Sequence, residues 1–220
     1  EGFEIEYTAN PAPNWRVAHN ASKTGAVRTN FGGPELTELV DFLTEKLNGP
    51  AGDLRMFNAR FHDPTNVIWN NGNWTNFRGQ YTLFKLQEGA GASELRKWRY
   101  NFVTNYSFTE GFLKGVGVGG SYRWQDKVTI GYPVVAQSAQ NFTFDLSKPY
   151  YGPTEDAIDL WLSYERKLTS KIDWKIQLNV RNAFADEGLI PISVQPDGQT
   201  WASVRVKPVQ EWFVANTFSF

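Results

Sequence analysis

VQEWFVANTFSF, residues 209–220, alternates its side chains in the manner of one long strand. Trp212, Val214, Phe218 and Phe220 fall on one face. Glu211, Ala215, Thr217 and Ser219 fall on the other, with Phe213 the exception. Successive strand side chains point to opposite faces, so this spacing gives an apolar face and a polar face. The pattern repeats along the chain. Ile158, Leu160, Leu162, Tyr164 and Leu168 alternate with Asp159, Trp161, Ser163, Glu165 and Lys167. Ile172, Trp174, Ile176, Leu178, Val180 and Phe184 alternate with Asp173, Lys175, Gln177, Asn179, Arg181 and Ala183.

Seven such strands are expected, over about 2–9, 14–23, 94–106, 115–130, 155–168, 172–184 and 201–220. In the third, Trp98, Tyr100, Phe102, Thr104 and Tyr106 oppose Lys97, Arg99, Asn101, Val103 and Asn105. In the fourth, Val116, Val118, Tyr122, Trp124, Val128 and Ile130 oppose Gly117, Gly119, Ser121, Arg123, Gln125 and Lys127. The connectors after strands one, three and five are short, and those after two, four and six are long. Asn10-Pro11-Ala12-Pro13-Asn14 supplies turn chemistry for the first short one. Inside the longest connection, 24–92, Leu36, Leu39, Val40, Leu43 and Leu47 stand at helical spacing before Gly49-Pro50, predicting one short helix near 34–47. The loops 131–153 and 185–200 are rich in Pro and Gly.

Strand length sets the class. Soluble strands average ~5–6 residues, whereas a tilted membrane-crossing strand needs ~9–11. Trp98 and Phe108 are ten residues apart, a rise of roughly 23 Å at ~45° tilt, close to the ~25 Å apolar band of a membrane barrel. The expected fold is all-β: a fragment of an antiparallel transmembrane β-barrel, with short periplasmic turns and long extracellular loops. On that topology 24–92 is extracellular and Phe220 lies at the periplasmic edge. The fifth and sixth strands are predicted to form a hairpin that sets Leu162 opposite Leu178, Lys167 opposite Asp173, Glu165 opposite Lys175 and Asp159 opposite Arg181. Neighbouring registers would put like charges face to face.

Composition agrees. Aromatics make up 15% of the 220 residues, including 9 Trp and 9 Tyr, which suits aromatic girdles. A net charge of -1 gives no electrostatic case for nucleic acid. There is no Cys, hence no disulfide framework, thiolate metal site or Cys nucleophile. No run approaches the ~18 apolar residues of a membrane helix. The opening EGFEIEYTANP is already a strand, without a basic or apolar leader. An export signal is therefore expected upstream, and the chain is read as a C-terminal fragment.

Several segments together resemble the C-terminal end of a TonB-dependent receptor of the bacterial outer membrane: GFEIEYTANPAPNWRVAHNASKT, RYNFVTNYSFTEGFLKGVGVGGSYRW, KIQLNVRNAF and QEWFVANTFSF. The resemblance covers nearly the whole chain, least in 24–92. It implies a barrel of about 22 strands plugged by an N-terminal domain, and TonB-powered uptake of siderophore-iron, cobalamin or a glycan. Plug and TonB box are N-terminal in that family and are not in this sequence. The implied partners are outer-membrane lipid, the rest of the barrel and plug, TonB, the barrel-assembly machinery through Trp212, Val214, Phe218 and Phe220, and a small-molecule or glycan ligand. A passive porin and a secreted carbohydrate-binding β-domain remain as alternatives.

No catalytic site, metal site or cofactor is expected. His19 stands on a strand face beside Trp15 and Val17, and His62 lies in FHDPTN, a capped turn rather than a metal site. GVGVGG, 115–120, opens no helix and is no phosphate loop; its lumen-side glycines leave room for a plug or ease curvature. Asp159, Glu165, Asp173 and Glu211 read as cross-strand pairing partners. Candidate ligand contacts are the loop aromatics Trp69, Trp74, Phe77, Tyr81, Tyr150, Tyr151 and Trp201, whose flat faces suit sugars or aromatic iron chelators; packing the loops is their competing role.

Overall fold

The computed structural model describes residues 1–47, 69–91, 94–136 and 142–220. Its centre is a seven-stranded antiparallel sheet built from β1 (Gly2–Ala12), β2 (Trp15–Thr24), β3 (Trp98–Ser107), β4 (Val116–Gln125), β9 (Glu155–Lys167), β10 (Asp173–Arg181) and β13 (Glu211–Ser219), neighbours in that order. Strands adjacent in the sheet follow one another along the chain. Short turns join β1 to β2, β3 to β4 and β9 to β10 at one margin. The three long connections all leave from the other. The architecture is the expected all-β barrel fragment, an open wall in which β1 and β13 are the two edges. Among the described residues no helix is long and apolar enough to cross a membrane, which says nothing of crossing by strands.

The chain divides into two compact units. One holds Glu1–Ala26, Ser93–Pro133 and Lys148–Phe220; the other holds Val27–Ala92 and Val134–Ser147.

Register follows the alternation. Leu162 lies opposite Leu178, Asp173 opposite Lys167 and Lys175 opposite Glu165, as the charge argument predicts. The last pair of that ladder is Val180 and Leu160, so the expected pair of Asp159 and Arg181 falls just outside it. The N–H of Asn182 reaches the Asp159 carboxylate instead, and Arg123 and Ser121 on β4 complete its partners. Arg181 faces Glu211 and lies over the Phe213 ring.

Five expected boundaries change. The third strand opens at Trp98 rather than near 94. The strand predicted over 115–130 stops at Gln125. Val128 and Ile130 leave the sheet and are buried, Val128 just before and Ile130 within β5 (Thr129–Gly131), which pairs with β8 (Tyr150–Tyr151). The strand predicted over 201–220 is two strands: β12 (Trp201–Val206) folds back on β11 (Leu189–Val194), and β13 begins after Pro208, which lacks the N–H a continuous ladder needs. The sixth strand ends at Arg181, leaving Phe184 74% exposed outside the sheet. The first strand runs on to Ala12, through a register shift before the turn.

The second unit contains α1 (Gly33–Leu47), α2 (Trp69–Leu86) and the hairpin of β6 (Val134–Ala136) and β7 (Phe142–Phe144). Helix α1 is the one the leucine spacing predicts, with Glu35 in its first turn and Lys46 in its last. Helix α2 was expected to be irregular chain, because Asn and Gly depress helix propensity. The spacing of Trp74, Phe77, Tyr81 and Phe84 carries it.

Candidate functional site

Each strand of the sheet contributes one row of side chains to each face, and the registers align these rows across all seven strands. On one face the run Trp15, Tyr106, Val118, Leu162, Leu178 and Val214 is continuous through successive pairings. Its side chains are uncovered: Leu162 is 50% and Val214 64% exposed. Aliphatic residues hold the mid-strand positions of β9, β10 and β13, while β1, β2 and β3 carry Tyr7, His19 and Phe102 there. Aromatics gather at the strand ends, with Trp98, Tyr100, Tyr122 and Trp124 toward the long connections, and Trp15, Tyr106, Tyr164, Trp174 and Phe218 toward the short turns. Polar atoms on this face find one another. Trp15 Nε1 donates to Thr104 Oγ1 at 2.9 Å and Trp174 Nε1 to Asn216 Oδ1 at 3.2 Å. His19 and the Tyr100 hydroxyl share a hydrogen bond of 2.8 Å. Pairing of this kind removes the cost of setting a polar atom in an apolar medium.

The opposite face is a polar network. Asn20 donates to both Glu4 and Glu6. Trp161 Nε1 donates to Asn105 Oδ1 at 2.8 Å, and Gln177 to Asn179 at 2.7 Å. Close neighbours across the sheet explain Gly119 and Gly117. A Cβ on Gly119 would collide with its indole and stand 2.6 Å from the Thr104 carbonyl; one on Gly117 would stand 2.6 Å from Ser163 Oγ. On this polar face Gly119 therefore makes room for Trp161, and Gly117 for Ser163. Toward the short turns the face holds an open hollow of about 630 Å³, lined by Trp161, Asn105, Gln177, Lys175, Glu165 and Asp173 among others.

Toward the long connections, Val128, Ile130 and Ile190 form a small core. The Arg96 guanidinium is buried against it. It donates to the carbonyls of Asp126 at 2.5 Å and Pro153 at 3.0 Å and pairs with Glu155, which also pairs with Arg205 of β12. Burial, then the charge of Arg205, lowers the pKa of Arg96 from its ordinary value. This cluster ties β12 to the start of β9.

No family model matches the chain, and neither does any curated protein. Among the solved structures similar to it are two complexes. One is FpvAI in complex with pyocin S2, with a TM-score of 0.45 and 14% identity over 99% of this chain and 18% of the other. The other is FpvA of P. aeruginosa bound to a heterologous pyoverdine with iron, with a TM-score of 0.45 and 15% identity over 99% of this chain and 19% of the other. The chain spans about a fifth of the length of either.

The predicted ligand aromatics fall into separate places. Tyr150 and Tyr151 form β8 and Trp201 opens β12, all in the first unit. The Tyr150 hydroxyl donates to the Pro196 carbonyl at 3.1 Å, and its ring lies where a Cβ on Gly198 would go, so Tyr150 is held as packing. Tyr151 and Trp201 are 51% and 52% exposed, with Lys127 Nζ 4.1 Å from the Tyr151 ring centre. Trp69, Trp74 and Tyr81 are helical rather than loop residues. Tyr81 is buried and donates to Thr37 Oγ1 at 3.0 Å, and Trp74 packs on Phe77. His62 lies outside the described residues. Among those described, no group of three or more His, Asp or Glu stands close enough together to hold a metal ion. Sequence reasoning missed Arg96 and Glu155. Both sit in irregular chain or at a strand end, where alternation gives no signal.

Proposed function

We propose that this chain is the C-terminal part of the wall of an outer-membrane active transporter of the TonB-dependent receptor kind. It takes up a scarce nutrient: siderophore-iron, cobalamin or a glycan. One observation carries the reading: a largely apolar face continuous over seven strands, much of it exposed, with aliphatic residues along β9, β10 and β13 and aromatics at both strand ends. A soluble sheet would cover such a face with a second layer. A membrane supplies that cover, with aromatic girdles at its two interfaces. The motifs GFEIEYTANPAP, NYSFTEGFLKG and KIQLNVRNAF support the receptor assignment over other barrels.

In this reading the short turns are periplasmic and 24–92 is extracellular. The β1 and β13 edges pair with the rest of the barrel in the same polypeptide. The polar face lines a lumen filled by the plug, through which TonB acts. The barrel-assembly machinery engages β13 through Trp212, Val214, Phe218 and Phe220. Tyr151 and Trp201 are the aromatics best exposed to meet a ligand.

The test is uptake of labelled ferric siderophore, cobalamin or glycan by cells with and without the gene, with the proton-motive force intact or collapsed. Loss of uptake in both the deletion and the uncoupled cells is expected. Uptake that needs the gene and survives uncoupling would instead establish a passive porin.

A further inference from the structure

Three segments of the first unit meet at one guanidinium. Arg96, shortly before β3, donates to the Asp126 carbonyl just after β4 and to the Pro153 carbonyl just before β9, and it pairs with Glu155, the first residue of β9. Glu155 carries the link onward, because the same carboxylate oxygen, Oε1, also receives Arg205 of β12. Arg96 is buried, whereas the Arg205 side chain is 41% exposed. The segments so held lead to Tyr151 and Trp201. Lys127 follows Asp126, and its ammonium stands 4.1 Å from the centre of the Tyr151 ring. Pro153 and Glu155 continue the chain directly from Tyr151 at the end of β8. Trp201 and Arg205 share a face of β12, since side chains of a strand alternate. Packing joins the same two hairpins: a Cβ on Gly131 of β5 would stand 3.0 Å from Val194 Cγ2 of β11, and Tyr150 of β8 donates to the Pro196 carbonyl between β11 and β12 at 3.1 Å.

We propose that Arg96 and Glu155 are positioning residues for ligand: they hold Tyr151 on β8 and Trp201 on β12 at one fixed separation, so that a ligand meets two preformed aromatic faces. The proposal rests on the reading of Tyr151 and Trp201 as ligand contacts. A guanidinium offers its donors in a rigid planar fork, so the acceptors gathered on Arg96 are locked in mutual orientation. Its burial makes the arrangement specific, because a buried cation that loses its counter-charge is strongly destabilised. Glu155 then sets β12 against β9 through Arg205. Rings held in place before binding need no ordering when ligand arrives, and that ordering otherwise weakens affinity.

The experiment uses the whole protein with spin labels at Thr154→Cys and Gln199→Cys, which report the separation of the start of β9 from the turn between β11 and β12. Pulsed electron resonance is expected to give one narrow distance distribution, and E155Q to broaden it. R205Q leaves the buried pair of Arg96 and Glu155 intact and serves where E155Q does not fold; it is expected to broaden the distribution as well, and R205K to narrow it again. Distributions as narrow in E155Q and R205Q as in the parent would overturn the proposal. Uptake by cells then tests the ligand. For whichever labelled solute the wild-type cells accumulate among ferric siderophore, cobalamin and glycan, Y151A, W201A and E155Q are each expected to raise the half-saturating concentration about tenfold with the maximal rate unchanged, in line with the ordering of freed aromatic side chains. A lower maximal rate at unmoved half-saturation in E155Q would mark a merely structural role and overturn the proposal. Half-saturation unmoved in Y151A and W201A, with distances broadened in E155Q, would overturn the reading of these aromatics as ligand contacts and the positioning role with it.

Discussion

Leu162 lies directly opposite Leu178, between Val118 on one side and Val214 on the other, at the centre of the apolar face. Its neighbour Ser163 faces Gln177 on the polar face. Leu162→Arg is expected to cost roughly 2–4 kcal/mol near a bilayer midplane, and Ser163→Arg much less. Folding titrations of the complete barrel in lipid vesicles measure both; equal costs would reverse the assignment of faces.

Gly115 has a φ of +88°, and a Cβ there would sit within contact distance of the Glu165 carbonyl oxygen, the group on the neighbouring strand. Gly115→Ala combines left-handed backbone strain with this clash. A loss of about 1–3 kcal/mol is expected. Gly111, also at positive φ but with open space around its Cβ position, isolates the strain alone. Gly115→Ala no worse than Gly111→Ala would show that the close approach to Glu165 does not matter.

Asp159 accepts from Arg123, Ser121 and the Asn182 N–H. Asp159→Asn should destabilise by about 1–3 kcal/mol, since hydrogen bonds to a charged group are the stronger kind. In double-mutant cycles the coupling should appear with Arg123 and not with Arg181. Coupling to Arg181 instead would restore the partner that strand alternation predicts.

Glu88 accepts from the Lys85 ammonium and from the Phe31 N–H at 2.6 Å, and these, the lysine first, hold its pKa below the ordinary carboxylate value. A depressed folded-state pKa means the contact stabilises at pH above the unfolded carboxylate value and is lost as pH falls through the folded one. The link between the end of α2 and Phe31 should therefore loosen only in acid. Lys85→Gln should move the Glu88 titration upward, measured by NMR; an unmoved titration would remove Lys85 as the cause.

On the proposed outer-membrane reading, protease added to intact cells expressing the whole protein should cut within 24–92, the connection that leaves the long-connection margin. Protection until the outer membrane is permeabilised would invert the proposed topology.

The sequence by itself determined the sheet. A two-residue period is a local property, so it marks which side chains share a face wherever a strand runs on. Opposed charges then select one register for the hairpin of β9 and β10, and Leu162 meets Leu178 as that argument requires. Helix α1 was legible for the same reason, through its leucine spacing. Tertiary structure decided the rest. Trp161 needs a neighbour without a Cβ that is 42 positions away in sequence, 161 − 119, but adjacent in space, which is why Gly119 is glycine. Asp159 takes Arg123 from β4 because β9 has two neighbours, and reasoning about one hairpin sees only one of them. The break at Pro208 and the helical spacing of Trp74, Phe77, Tyr81 and Phe84 were present in the sequence, masked by continuous alternation in one case and by Asn and Gly in the other. The contacts among Arg96, Glu155 and Arg205 join residues up to 109 positions apart, 205 − 96. No local pattern can encode them, because only the chain path brings Glu155 and the exposed Arg205 to the buried Arg96.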